Sequence, residues 1–338
     1  MSFINAVSVN LLGTLSYLIA GLVLLIPLLV IVAVLKLEKP FKGFMKSSPK
    51  KIKSITQKIK EGKFTGDLKT SQNVWIEYIP SQYQKELILC AHHDSISMRI
   101  SMKLMMRAMM IGIGSALIYS IGYFIGFSLL FFLQVNIFQV FWWVFYWLVM
   151  IFLVLLNLVF LSRFFRKNES HGSCDDGTGV AIILELAKIL KEIQPKVKVT
   201  LACFGAEELG LLGSAMFYDE RKDSYQRCPV EVISIDMIGE KPPLSIVKAI
   251  KPIFSIPTSQ NLNEELVQVA EYLEIEVKKG KFFYPGSDFA HWLFNGHEAT
   301  WVGNSSQVIH SKNDKPDAIN LTLVNQCLKL FIGLLLIK

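Results

Sequence analysis

Five short motifs bearing histidines and acids occur in fixed order: Ala91-His92-His93-Asp94-Ser95, Gly172-Ser173-Cys174-Asp175-Asp176-Gly177-Thr178-Gly179, Glu207-Glu208, Ile235-Asp236-Met237 and Ile309-His310-Ser311. Imidazole nitrogens and carboxylates are the ligands that hold divalent cations such as zinc. Two such ions a few ångströms apart need a carboxylate between them, terminal ligands on each side, and a free carboxylate to take a proton from the attacking water. The chain offers each part once, so the motifs together predict a two-metal hydrolase site.

Taken singly, each motif also has a plain structural reading. Alone, His92 reads first as a satisfied buried histidine, although the carboxylate two residues on, Asp94, suits the second ring nitrogen of a metal ligand and would fix its tautomer. Asp175 and Asp176 fit an ordinary helix N-cap in a glycine-flanked loop. Glu207-Glu208 reads as a solvated acidic turn or as one ligand beside one free base. Asp236 ends an apolar strand, where it reads as a helix N-cap or, since an unpaired carboxylate is costly to bury, as the partner of a cation. The order and company of the motifs favour the site.

The elements that must position these residues follow from apolar patterning. Strands are predicted over 73–79, 86–91, 197–204, 230–235 and 299–302, and helices over 180–191, 209–218, 261–273 and 317–337. Strands alternating with helices predict an α/β fold, a mostly parallel mixed sheet covered by helices. In such sheets ligands bind beyond the carboxyl ends of the strands. His92, Glu207, Glu208 and Asp236 all fall at those ends.

The ordered set resembles the co-catalytic zinc metallopeptidases of the aminopeptidase Y and bacterial leucyl aminopeptidase family, whose relatives include glutamate carboxypeptidases and glutaminyl cyclases. The resemblance covers roughly 69–338 apart from an apolar insertion. It implies that Asp175 bridges two zinc ions, that His92 and Asp236 bind one, and that Glu208 and His310 bind the other. It also implies Glu207 as general base on a water between the metals, Asp94 as the partner of His92, and Asp314 as a supporting carboxylate. Ser287-Asp288 resembles the family's Ser-Asp-His, with Tyr284 placed to stabilise the oxyanion. Phe289 stands where the family has histidine, and the insertion is foreign to the common catalytic fold.

Composition adds a membrane. The 338 residues have a mean hydropathy of +0.41 and are 52% hydrophobic, too apolar for an ordinary soluble enzyme. Residues 11–35 form an uncharged run long enough to cross a bilayer. Residues 108–161 contain no charged side chain, about twice the length one span requires, with Gln134, Asn136 and Gln139 near the middle. That stretch predicts a helical hairpin, giving three transmembrane helices in all. The expected organisation is an anchor over 1–36, a first part of the peptidase domain with a basic juxtamembrane linker over 37–104, an inserted transmembrane hairpin over 105–164, and the rest of the peptidase domain over 165–338.

Lysines and arginines crowd after the first span and at both ends of the hairpin, which places the amino terminus outside and the catalytic domain in the cytoplasm. The basic linker accounts for the net charge of +7, so that charge does not call for nucleic acid; the linker reads equally as a segment drawn to anionic lipid or packed on the enzyme and as a solvated charged linker. The five cysteines show no CxxC spacing and read as reduced thiols.

The expected function is a membrane-anchored di-zinc peptidase, an aminopeptidase, acting on peptides. Its alternatives are a glutaminyl cyclase-like or carboxypeptidase-type relative, or an inactive membrane receptor or scaffold. Two roles for the spans stay open: delivering peptides from the bilayer, or anchoring alone.

Overall fold

The computed structural model describes residues 71–98, 166–250, 255–282, 286–304 and 308–338, with short helical pieces at 114, 121–122, 126, 144–149 and 151–152. The expected first span, the basic linker and Tyr284 lie outside the described residues, as does most of the expected hairpin. Among the described residues, no helix is long and apolar enough to cross a membrane.

The described strands are β1 (Val74–Tyr78), β2 (Glu86–His92), β3 (Ser97–Met98), β4 (Arg166–Lys167), β5 (Lys198–Phe204), β6 (Val230–Asp236), β7 (Leu244–Ile250), β8 (Ile256–Pro257), β9 (Val277–Phe282) and β10 (Glu298–Gly303). The helices are α1 (Thr178–Ile193), α2 (Leu212–Arg221), α3 (Gln260–Tyr272), α4 (Ala290–Phe294) and α5 (Leu321–Ile337). Eight strands form one mixed sheet in the order β1-β5-β2-β6-β10-β7-β8, with β9 on β7, while β3 and β4 form a separate two-stranded ladder. β5, β2, β6 and β10 run parallel. Their register sets His92 opposite Phe204 and Asp236 opposite Gly303, so the carboxyl ends share one rim.

Every residue of β2 is buried, because helices cover both faces of the sheet; such strands read as continuous apolar runs. Strand alternation sends Leu87, Leu89 and Ala91 into a core with α1, α3 and α5, and Ile88 and Cys90 into a second core with α2 and α4. α1 buries Ile182, Ile183, Leu186 and Leu190, one stripe at helical spacing, and ends at Gln194, which adopts the left-handed backbone of a helix C-cap. Truncating the fully buried Leu186 to alanine is expected to cost about 2–5 kcal/mol.

Some elements depart from the sequence reading. α2 starts at Leu212, not 209, because Gly210 and Leu211 donate to the Glu207 carbonyl and close a turn first. α5 starts at Leu321, where the Asn320 side chain accepts the Leu323 N–H. β7, β8, β9 and α4 were not anticipated. β9, Val-Lys-Lys-Gly-Lys-Phe, carries the lysines of a protected edge and no apolar alternation.

Candidate metal centre

His92 ends β2 with its ring buried. Its Nδ1 pairs with the main-chain carbonyl of Asp94 at 2.9 Å. A carbonyl only accepts, so in the neutral ring Nδ1 carries the proton and Nε2 is left with its lone pair. Nε2 lies 3.0 Å from Asp175 Oδ1 and 3.7 Å from Asp236 Oδ1. The Asp94 carboxylate, expected to hold this ring, stands 3.7 Å away and instead accepts the backbone N–H groups of Glu207 at 2.9 Å and Glu208 at 3.2 Å. The carbonyl wins because the chain turns immediately after β2 and brings the main chain under the ring.

The second histidine comes from the other end of the chain. His310 Nε2 lies 3.0 Å from Asp175 Oδ2 and 3.0 Å from Glu208 Oε1. Its backbone is left-handed, φ 55°, a conformation costly for a residue with a Cβ. The His310 carbonyl accepts the N–H of Met98 at 2.8 Å, which helps to hold it there.

Asp175 joins the two halves: one oxygen faces His92 and the other faces His310. It sits in the loop Ser173–Gly177, where the backbone leaves helical values at Asp175 and Asp176. Two neighbours fix that loop. Asp314 Oδ1 accepts the N–H of Cys174 at 2.6 Å, so it positions the bridging residue and does not touch His310. Asp176 Oδ1 accepts the Gly179 N–H, as a helix N-cap does, while Oδ2 accepts the His92 N–H at 3.2 Å. Asp176 thus ties α1 to the end of β2. Gly179 is required here: a Cβ would lie 2.4 Å from Asp176 Oδ2 and 2.6 Å from the Ile235 carbonyl.

Two sets of donors therefore converge, His92 with Asp175 and Asp236, and Asp175 with Glu208 and His310. Glu207, half-buried and adjacent to Glu208, belongs to neither set. Two donors on one tetrahedral zinc are about 3.3 Å apart, given metal–ligand lengths near 2.0–2.2 Å. The observed separations of 3.0 to 3.7 Å bracket that spacing. Asp236 Oδ1 is buried without a hydrogen bond, which is expensive unless a cation takes its lone pairs. The donor types, spacing and unmet polar atom fit two divalent ions.

The electrostatics agree. Burial alone would lower the His92 pKa, but the charge of Glu207 and the contacts with Asp175, Asp236 and Asp94 raise it well above the usual histidine range. His310 is likewise pushed up to about 10 by Asp175 and Glu208 against its burial. Burial would raise Asp175, yet the two histidines hold it well below the usual carboxylate range. Burial, reinforced by Asp288, Asp236 and Glu208, pushes Glu207 well up. The cluster has more negative charge than its own histidines neutralise.

Asp288 is fully buried, neither carboxylate oxygen has a hydrogen bond, and burial pushes its pKa up to about 7. It joins neither donor set. The adjacent Ser287 hydroxyl meets Ser234 at 2.8 Å, and Phe289 is buried in the second core. Asp176 and Met98 escaped the sequence reading as positioning residues; the Asp-Asp-Gly-Thr-Gly run contained the only signal, for Asp176.

Residues 160–335 match the model of peptidase family M28, a stretch that includes Asp175, Glu208, Asp236 and His310. The chain belongs to peptidase family M28. Among relatives, the M28 chain is 36% identical over 70 residues to aminopeptidase YwaD of Bacillus subtilis, covering 21% of this chain and 15% of that protein. It is 28% identical over 109 residues to aminopeptidase NAALADL1 of Rattus norvegicus, covering 28% and 15%. These matches span less than a fifth of the relatives' length. Its fold resembles that of LapB from Legionella pneumophila, with TM-score 0.50, 15% identity, and coverage of 78% of this chain and 54% of that one. An aminopeptidase from Aneurinibacillus sp. strain AM-1 gives TM-score 0.50, 17% identity, and coverage of 78% and 46%.

Proposed function

We propose that this M28 chain is a membrane-anchored aminopeptidase that holds two divalent cations, zinc being the simplest choice, and hydrolyses the amino-terminal bond of peptides. The observation that carries this reading is the split of Asp175, whose two oxygens face two separate donor sets. His92 and Asp236 would hold one ion, Glu208 and His310 the other, and Asp175 both. When bound, such ions acidify water and polarise a carbonyl. Glu207, free of both sets, takes the proton of the attacking water and returns it to the leaving amine. Asp94 aims Glu207 and Glu208 through their backbone N–H groups, and Asp314 and Asp176 fix the loop of Asp175. Tyr284 is proposed as the oxyanion donor on the family resemblance alone.

The aminopeptidase choice is supported by the names of the relatives, and the completeness of both donor sets favours an enzyme over an inactive scaffold. The uncharged runs at 11–35 and 108–161 and their basic flanks support an anchor over 1–36 and a hairpin inserted over 105–164. The same flanks support a cytoplasmic catalytic domain with the amino terminus outside. The deciding experiment is metal analysis of the purified protein with a screen of free-amino and acetylated peptides. Two metals per chain and cleavage of free-amino peptides only are expected; equal cleavage of acetylated peptides would overturn the aminopeptidase reading.

A further inference from the structure

The insertion is rooted in the metal centre itself. β3 and β4, the residues flanking it on either side, pair antiparallel, Ser97 with Lys167 and Met98 with Arg166. Met98 donates to the carbonyl of His310 at 2.8 Å, Ser97 Oγ accepts the Glu169 N–H at 2.7 Å, and the His171 N–H reaches the Asp314 carbonyl at 3.1 Å. The stem of the insertion, the loop of the Asp175 carboxylate and the backbone of His310 are therefore one hydrogen-bonded unit.

The sequence between β3 and β4 is suited to lipid. Residues 108–161 carry no charge, while Arg99, Lys103 and Arg107 precede them and Arg163, Arg166 and Lys167 follow. Cations on both flanks match anionic headgroups. The described helical residues at 144–149 and 151–152 expose Phe145 (55%), Leu148 (61%), Ile151 (53%) and Phe152 (62%), an apolar surface that a soluble protein rarely leaves bare. Chain geometry then sets a distance. The backbone from 161 to Arg166 spans at most about 18 Å, and paired strands add about 5 Å. The His310 carbonyl thus lies within about 25–30 Å of the end of the uncharged stretch.

We infer that the catalytic rim faces the bilayer surface at short range and that the substrates are peptides seated in the membrane by an apolar segment, with a free amino end on a short polar spacer. This rests on the aminopeptidase reading. A peptide held in the same membrane meets the site at a raised effective concentration. A short spacer suffices only if the site stands near the lipid.

The test uses the full chain in phosphatidylcholine–phosphatidylglycerol vesicles. One reporter sequence with a free amino terminus is offered as a soluble peptide, and joined to a transmembrane segment through polar spacers of roughly ten or roughly forty residues, the shorter reaching about 33 Å. The short-spacer peptide is expected to exceed the soluble one in kcat/KM by roughly tenfold or more and to be cut at least as fast as the long-spacer one. Equal rates for soluble and tethered peptides, or cleavage of the long-spacer peptide alone, overturns the inference and leaves the aminopeptidase reading standing. Failure to cut any free-amino peptide by the metal-loaded protein overturns both. Failure of the chain to float with the vesicles would assign the apolar surface to a protein partner and also end the inference.

Discussion

The ring of His92 is held by the backbone of Asp94, through a 2.9 Å contact to its carbonyl, and not by the Asp94 carboxylate, which lies 3.7 Å away. The carboxylate is thereby released to organise the Glu207–Glu208 turn. Replacing Asp94 by alanine should leave His92 oriented while freeing two N–H groups whose charge-assisted bonds are each worth about 1.5–3 kcal/mol. The expected result is a fall in kcat of about ten- to a hundredfold, with KM little changed and metal retained at the His92 half. Steady-state kinetics with metal analysis checks this, and an unchanged kcat would remove Asp94 from the positioning machinery.

Glu207→Gln keeps the shape of the side chain and removes its capacity to take a proton. Because Glu207 belongs to neither donor set, two metals per chain should remain, while turnover drops by about 10²–10⁴. Loss of metal along with activity would show that Glu207 is itself a ligand.

The two halves of the centre should separate by mutation. Asp236→Ala and Glu208→Ala are each expected to leave one metal per chain, whereas Asp175→Ala should empty both positions. Zinc at a hundred times its dissociation constant should stabilise the protein by about 2.7 kcal/mol for each occupied site, so the gain should be largest in the unsubstituted protein and smaller in each variant. Metal analysis and thermal melts with and without zinc read both effects; full metal content in Asp175→Ala would exclude a bridging role.

The stem gives a fourth test. Proline at Met98 deletes the N–H that reaches the His310 carbonyl and relaxes the left-handed turn at His310. Metal at the Glu208–His310 half is expected to weaken, moving the content from two towards one, with the His92 half intact. Equal loss from both halves, or none, counts against the coupling.

Acid stability is set partly by a residue away from the metals. His291 is buried, its Nε2 donates to the Leu211 carbonyl at 3.1 Å, and burial lowers its pKa from 6.5 to about 4. Below pH 6.5 the unfolded chain takes up a proton that the folded chain refuses until about pH 4. Stability should therefore fall across that window by on the order of 3 kcal/mol. His291→Gln, which keeps a donor and does not titrate, should remove this component in urea unfolding. An identical pH slope in the variant would refute the assignment.

Much of the centre was legible because β2, β5 and β6 are predominantly apolar strands that stop at His92, just before Glu207 and at Asp236. A carboxylate at the end of a doubly covered strand has few reasons to be there except a cation. The rest depends on which atom of a residue does the work. Spacing cannot tell the carbonyl of Asp94 from its carboxylate, nor predict the left-handed turn that aims His310. The capping of α1 by Asp176 was legible, but its grip on the His92 N–H was not, because it uses the second oxygen of the same side chain. β9 was illegible because an edge strand guarded by lysines carries no apolar rhythm.

The donors are supplied by β2, the loop before α1, the turn after β5, the end of β6 and the loop that carries His310. No single stretch of the sequence contains a working set, and long-range closure is the slow part of assembling such a sheet. The proposed centre therefore exists only once strands and loops far apart in the sequence have closed on one another.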